Sequence, residues 1–249
     1  MERVLIVPAA GRGSRLGLPM PKLLVPVNGR AMIDHVLTLY AGIVDRAALI
    51  VHPTAVEEVQ AHVAAAPLPV ELFVQHEPTG MLDAILLARP AVERTAPRRV
   101  LITWCDQVAI HPATVSHLQA AAAAPADPHL VMPTCVSPDP YVHVVRDGAG
   151  AITAVLHRRE GDAMPTVGES DAGVFEMSRE TYLDWLPQYA AAPEIGARTG
   201  ERNFVPFVAW VGRRGTVVTF PCLEREEAVG INTPEDLALV ETYLGQRGR

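Results

Sequence analysis

The segment Pro8-Ala9-Ala10-Gly11-Arg12-Gly13-Ser14-Arg15-Leu16-Gly17, with Pro21-Lys22 just beyond, has the residue types and spacing to hold a polyphosphate. It follows a short apolar run, and small residues in that place let backbone N–H groups come close to phosphate oxygens. Ala9, Ala10 and Gly11 leave room for a nucleobase against the backbone, and with Gly13 they make the expected nucleotide-binding loop. Arg15 and Lys22 would bring two positive charges to the same anion. A dinucleotide fingerprint is a rival, but its glycines must lead into a helix, and Pro19 and Pro21 interrupt one. A P-loop needs Gly-Lys-Ser/Thr, which the segment lacks. A surface loop with incidental arginines is the bland alternative.

The 21 basic residues comprise 20 arginines and one lysine, Lys22. A GC-rich genome explains why lysines are scarce, but not why this one stays. A compact ammonium serves a phosphate as a point charge, which a planar guanidinium does not reproduce. A carboxylate, Asp106, closes the apolar run Val100–Trp104, and the C-terminal edge of a parallel strand is where such sheets bind ligands. Asn232 follows Val229-Gly230-Ile231 and also reads as a helix N-cap ahead of Pro234.

The elements that must position these residues alternate. Val4–Pro8, Ala47–His52, Val70–Gln75 and Val100–Trp104 read as strands, the first a continuous apolar run suited to burial on both faces. Helices are expected over about Ala31–Ala41, Thr54–Ala65 and Met81–Val92, and from Pro112 onward. That alternation predicts an α/β fold, a mostly parallel mixed sheet with helices on both faces. Further strands are expected at Leu130–Pro133, Val142–Arg146, Ile152–His157, Val174–Met177, Val217–Phe220 and Ala228–Ile231. Asp147-Gly148 marks a hairpin, and a final helix should run to about Leu244. We expect a single domain over 1–249, with nucleotide binding in about 1–125 and acceptor binding in about 126–249.

The 249 residues are 49% hydrophobic, enough for a folded core, and the net charge of −7 gives no general attraction to nucleic acid or anionic membrane. No apolar run reaches the roughly 18 residues of a membrane span, and the N-terminal apolar stretch is too short for a signal peptide. Three dispersed cysteines, Cys105, Cys135 and Cys222, suggest a reducing compartment, so the expected location is cytoplasmic. Apolar helical faces leave a homodimer open.

The pattern GxGxRxG followed by PK after an apolar strand resembles the N-terminal signature of sugar-phosphate nucleotidyltransferases. The nearest likeness is to the uridylyltransferase domain of bifunctional N-acetylglucosamine-1-phosphate uridylyltransferases. The opening is also similar to methylerythritol-phosphate cytidylyltransferases and MobA-like NTP transferases. The resemblance implies a Rossmann-like nucleotide-diphospho-sugar transferase fold and Mg²⁺ as cofactor. It also implies a nucleoside triphosphate and a phosphorylated small-molecule acceptor as partners. Arg15 and Lys22 would contact the triphosphate, with Lys22 at the α-phosphate, and Gln75 and Gly80 would contact the base. Asp106 and Asn232 would hold the metal, and Glu169 and Asp171 would face the acceptor.

The chain departs from that pattern at several positions. Leu82 stands where the base segment has a second glycine, and Cys105 where a glycine precedes the metal-binding aspartate. Val142, Leu156 and Asp171 replace a glycine, a glutamate and an asparagine of the acetylamino-sugar enzymes, which counts against N-acetylglucosamine 1-phosphate as acceptor. The alternatives are a cytidylyltransferase for an alcohol phosphate or phosphonate, a molybdopterin-type enzyme, and a nucleotide-binding module without turnover. A dehydrogenase ranks last.

Overall fold

The structure, a computed structural model, describes residues 2–11, 16–192 and 195–247. In chain order the strands are β1 (Arg3–Ala9), β2 (Pro26–Val27), β3 (Arg30–Ala31), β4 (Arg46–Val51), β5 (Val70–Val74) and β6 (Arg99–Thr103). They continue as β7 (Leu130–Pro138), β8 (Val142–Arg146), β9 (Ile152–His157), β10 (Val167–Asp171), β11 (Val174–Ser178) and β12 (Val217–Pro221). The helices are α1 (Met32–Tyr40), α2 (Val56–Val63), α3 (Met81–Leu87), α4 (Arg89–Thr95), α5 (Pro112–Ala122), α6 (Leu186–Ala191), α7 (Pro206–Gly212) and α8 (Pro234–Arg247).

The main sheet runs β10-β7-β11-β6-β1-β4-β5, with β12 added beside β7. β1 pairs in parallel with β4 and β6, and β4 with β5, as the alternating pattern requires. β11 runs antiparallel against β6, so the sheet is mixed and mostly parallel, as expected. Successive residues of β1 serve opposite faces. Leu5 and Val7 join a core with α1, α2, α5 and α8, while Val4 and Ile6 join one with α3, α4, α6 and α7. Burial on both faces is why the strand reads as unbroken apolar sequence.

The structure revises several expectations. The helix expected over Met81–Val92 is two helices that meet at Ala88, because Pro90 has no N–H to continue the first. Ala228–Ile231 is not a strand. A 3-10 turn covers Arg225–Ala228, and the next residues bond to the β6 end instead of a sheet edge, with the Ile231 N–H donating to the Asp106 carbonyl at 3.2 Å. Strand β10 and helices α6 and α7 arise where the sequence carries no clear period. Among the described residues, no helix is long and apolar enough to cross a membrane.

Candidate nucleotidyl-transfer site

A cleft of about 780 Å³ opens over the C-terminal edges of β1 and β6, and Ala9, Gly11, Lys22, Asp106, Asp171 and Asn232 all line it. Ala10 turns instead toward the core beneath α3. Gly13 and Arg15 lie outside the described residues.

Lys22 begins a 3-10 turn whose next two residues, Leu23 and Leu24, are buried, so the lysine is anchored at its backbone. Its ammonium forms an ion pair with Asp106 and donates to Asn232 Oδ1 at 2.9 Å. Residues 84 and 210 positions away along the chain thus converge on one charge, and the Lys22 and Asp106 side chains are only 11% and 13% exposed.

Asn232 reaches Lys22 because it is not the helix cap. Thr233 holds that post: its Oγ1 accepts from the Asp236 N–H at 3.2 Å, ahead of Pro234. The Asp236 carboxylate in return accepts from the N–H groups of Thr233 at 2.8 Å and Asn232 at 2.9 Å. This reciprocal box satisfies the helix start and leaves the Asn232 side chain to face the cleft. Its Nδ2 donates to the Gly230 carbonyl at 3.1 Å, which points Oδ1 at the lysine.

Two residues that sequence reasoning missed set the spacing of Asp106 and Asn232. Glu227 is fully buried, and its carboxylate accepts from the N–H groups of His111, Leu223 and Glu224 at 2.8, 2.9 and 3.0 Å. Gln107, next to Asp106, donates to the Glu227 carbonyl at 2.5 Å. The segment that carries Asn232 is therefore fastened to the β6 turn from both sides. The local signal for Glu227 is its spacing three residues after Glu224, which is that of a capping box.

The expected base contacts are placed differently. Gln75 is buried and donates to the Gly80 carbonyl at 3.1 Å, and neither residue lines the cleft. Gly80 has φ +127°, and a Cβ there would stand 2.5 Å from the Arg202 backbone. This glycine admits a close backbone approach, a structural use of the residue.

Of the two expected acceptor residues, only Asp171 is on the cleft wall. Both oxygens of Glu169 are taken by Arg146, at 2.6 and 2.7 Å, and Arg146 also bonds Thr219 at 2.8 Å. Asp171 accepts the Gly173 N–H at 2.8 Å, and burial raises its carboxyl pKa. Trp104, Tyr141, His157, Arg159 and Asn203 complete this side. His157 lies 4.9 Å edge-on from Tyr141, and burial lowers its pKa. Only Trp104 had a legible cue, its place one residue before Cys105-Asp106 at a strand end.

Asp106 and Asn232 present a carboxylate and an amide oxygen to one point, which an ammonium fills. Hard oxygen donors around a cationic position suit Mg²⁺, with water and phosphate completing the octahedron. Among the described residues, no group of three or more His, Cys, Asp or Glu side chains is arranged to hold a metal ion. Substrate oxygens would therefore have to supply part of the shell. Burial pushes the neighbouring Cys105 thiol up to about 12.

A family model described as a MobA-like NTP transferase domain matches residues 5–170. The bifunctional protein GlmU of Alkalilimnicola ehrlichii is 32% identical over 253 residues, covering 99% of this chain and 52% of that protein. The GlmU proteins of Azotobacter vinelandii, at 30% identity, and Cellvibrio japonicus, at 26%, are covered to 53% and 52%. The chain thus spans about half the length of the curated relatives it matches. A solved structure from Bacillus anthracis, assigned as a glucose-1-phosphate thymidylyltransferase in complex with sucrose, superposes with a TM-score of 0.73 at 16% identity. It covers 96% of this chain and 94% of its own, and shows the same fold.

Proposed function

We propose, since the chain belongs to the MobA-like NTP transferase domain family, that it transfers a nucleotidyl group from a nucleoside triphosphate to a phosphorylated sugar or sugar-like alcohol. Pyrophosphate is the second product. The observation that carries this reading is the Lys22 ammonium held by Asp106 and Asn232 at the C-terminal edge of the parallel strands.

A phosphate oxygen of the acceptor attacks the α-phosphorus, a new P–O bond forms, and the bond to the bridging β-phosphate oxygen breaks in line. Two anions must be brought together, so positioning and charge neutralisation do most of the work. Ala9 and Gly11 admit the nucleotide to the cleft wall. Lys22 turns from its carboxylate partner to the α-phosphate, where it offsets the charge that builds on the non-bridging oxygens. Asp106 and Asn232 would hold Mg²⁺, which when bound neutralises and orients the triphosphate. No general base is needed, because a phosphomonoester is largely ionised near pH 7, with its second pKa at about 6. Arg15 is expected to complete the clamp.

The test is pyrophosphate release with Mg²⁺, across the four ribonucleoside triphosphates and dTTP, against a panel of sugar 1-phosphates and alcohol phosphates. Acceptor-dependent release that is lost in Lys22→Ala and Asp106→Ala supports the proposal. Absence of any triphosphate binding by calorimetry sinks it. Tight triphosphate binding with no release from any acceptor favours a binding module instead.

A further inference from the structure

The Lys22 ammonium occupies the point on which the Asp106 carboxylate and the Asn232 amide oxygen converge. That point is set by bonds in which the lysine has no part. Gly230 lies so close to the β6 turn that a Cβ there would stand 3.4 Å from Asp106 Oδ1 and 3.2 Å from Gln107 Oε1. The Ile231 N–H donates to the Asp106 carbonyl at 3.2 Å, which fastens the two segments to each other. Asn232 Nδ2 donates to the Gly230 carbonyl at 3.1 Å, and the Asn232 N–H donates to the Asp236 carboxylate at 2.9 Å.

The lysine is held differently. Its backbone is anchored, with the Val25 N–H donating to the Lys22 carbonyl at 3.1 Å and Leu23 and Leu24 buried behind it. Its long flexible stem carries the charge as a movable point. Ala9 and Gly11 line the same cleft, so a triphosphate lying along them brings phosphate oxygens to this ammonium.

A divalent ion that arrives alone has to break the bonds of the ammonium and then share the site with it. Two cations within about 4 Å of each other repel strongly where water is largely excluded, and the Lys22 and Asp106 side chains are both mostly buried. A triphosphate reverses that balance. It offers the ammonium new anionic partners, and it supplies oxygens that a site with two protein ligands lacks.

We propose that Lys22 is a resident cation that keeps the Asp106–Asn232 pair closed to free divalent ions, so that the protein takes up its metal only together with the triphosphate. The proposal rests on the nucleotidyl-transfer reading and goes beyond it, because it fixes the order of uptake and gives the lysine a role before any phosphate is bound. Removing the lysine charge should therefore weaken transfer and strengthen metal binding, two effects of opposite sign.

Mn²⁺ is the probe, followed by electron paramagnetic resonance, because it takes the same hard oxygen ligands as Mg²⁺. Without nucleotide, Lys22→Met should bind Mn²⁺ at least about tenfold more tightly than wild type, the scale of removing a like charge from a mostly buried site. Lys22→Arg, which keeps the charge, should stay near wild type. Asp106→Asn added to Lys22→Met should abolish the gain and so localise it to this pair. If Lys22→Met does not fold, Lys22→Gln serves the same comparison. In equilibrium dialysis with each of the four ribonucleoside triphosphates and dTTP, wild type should retain Mn²⁺ with at least one of them. The proposal is overturned if wild type binds Mn²⁺ alone as tightly as the uncharged variants, if Lys22→Arg shares the gain, or if the gain survives loss of Asp106. Each of these results leaves nucleotidyl transfer standing. Failure of every triphosphate to bind, with the Mn²⁺ gain intact, overturns nucleotidyl transfer and the order of uptake with it.

Discussion

The two sides of the cleft are built by different means. On one side Lys22, Asp106 and Asn232 stand on strand ends and helix starts, backed by buried Leu23, Leu24 and Glu227. On the other, the turn after β9 carries Arg159 and Glu160 and the loop before α7 carries Glu201 and Asn203, joined by the side-chain pairs Arg159–Glu201 and Asn203–Glu160. Charge on the first side is held by the frame of the sheet, whereas charge on the second is held mainly by partners in loops. A rigid frame suits the reacting phosphates, whose geometry is common to every substrate of such a reaction. Loops suit the acceptor, which varies.

The largest effects should come from the first side. Lys22→Ala and Asp106→Ala should each lower pyrophosphate release by about 10²–10³-fold, the range for loss of one preorganised charge contact. Arg159→Ala should cost less, and a steady-state comparison that ranked it above Lys22→Ala would invert the contrast between the two sides. Next is the fastening beneath the frame. Glu227→Gln turns an amide toward backbone N–H groups that a carboxylate satisfied, and should lower stability by about 2 kcal/mol in urea unfolding. An unchanged urea midpoint would show that the frame does not depend on it.

Thr233→Ala removes a helix cap and should cost about 1 kcal/mol, with a melting temperature lower by about 2–4 °C. If it also raises the KM for triphosphate, the cap helps to aim Asn232, and the frame extends into α8. The smallest effect belongs to the loop side and to acid. Burial pushes Glu160 upward, but hydrogen bonds from Thr199, Asn203 and two backbone N–H groups outweigh this and hold its pKa at about 2, below the usual 4.5. A depressed carboxylate pKa stabilises the native state above pH 4.5 and loses that contribution as pH falls toward 2. Wild type and Glu160→Gln should therefore converge in stability over that window, whereas a constant gap would show the loop is held by other contacts.

Much of the first side was legible in the sequence. The apolar run into Pro8-Ala-Ala-Gly, the single lysine after Pro21 and the acid closing Val100–Trp104 are local patterns, and the parallel sheet brings Ala9, Lys22 and Asp106 to one edge. Asn232 was legible as a residue, while its assigned role as helix cap passed to Thr233. Gln75 and Gly80 show the limit of reading a segment alone. Whether Gly80 serves a ligand or the chain depends on the Arg202 backbone, which arrives from 122 positions away and lies 2.5 Å from the position of its missing Cβ. The loop side was nearly silent, because pairs such as Arg159–Glu201 have no fixed spacing.

By itself the sequence determined which residues could bear charge and which runs had to be buried, since both follow from side-chain chemistry and short-range period. It determined a parallel core for the same reason: strands that are apolar on every residue need helices on both faces. Only the tertiary structure decided that Ala228–Ile231 leaves the sheet to bond the Asp106 turn, that Glu169 is spent on Arg146, and that Asp171 closes onto the Gly173 N–H at the cleft wall. Those outcomes depend on backbone groups and side chains brought together from distant parts of the chain. Each such meeting is settled by which partner satisfies a buried polar group, and no local pattern records that choice.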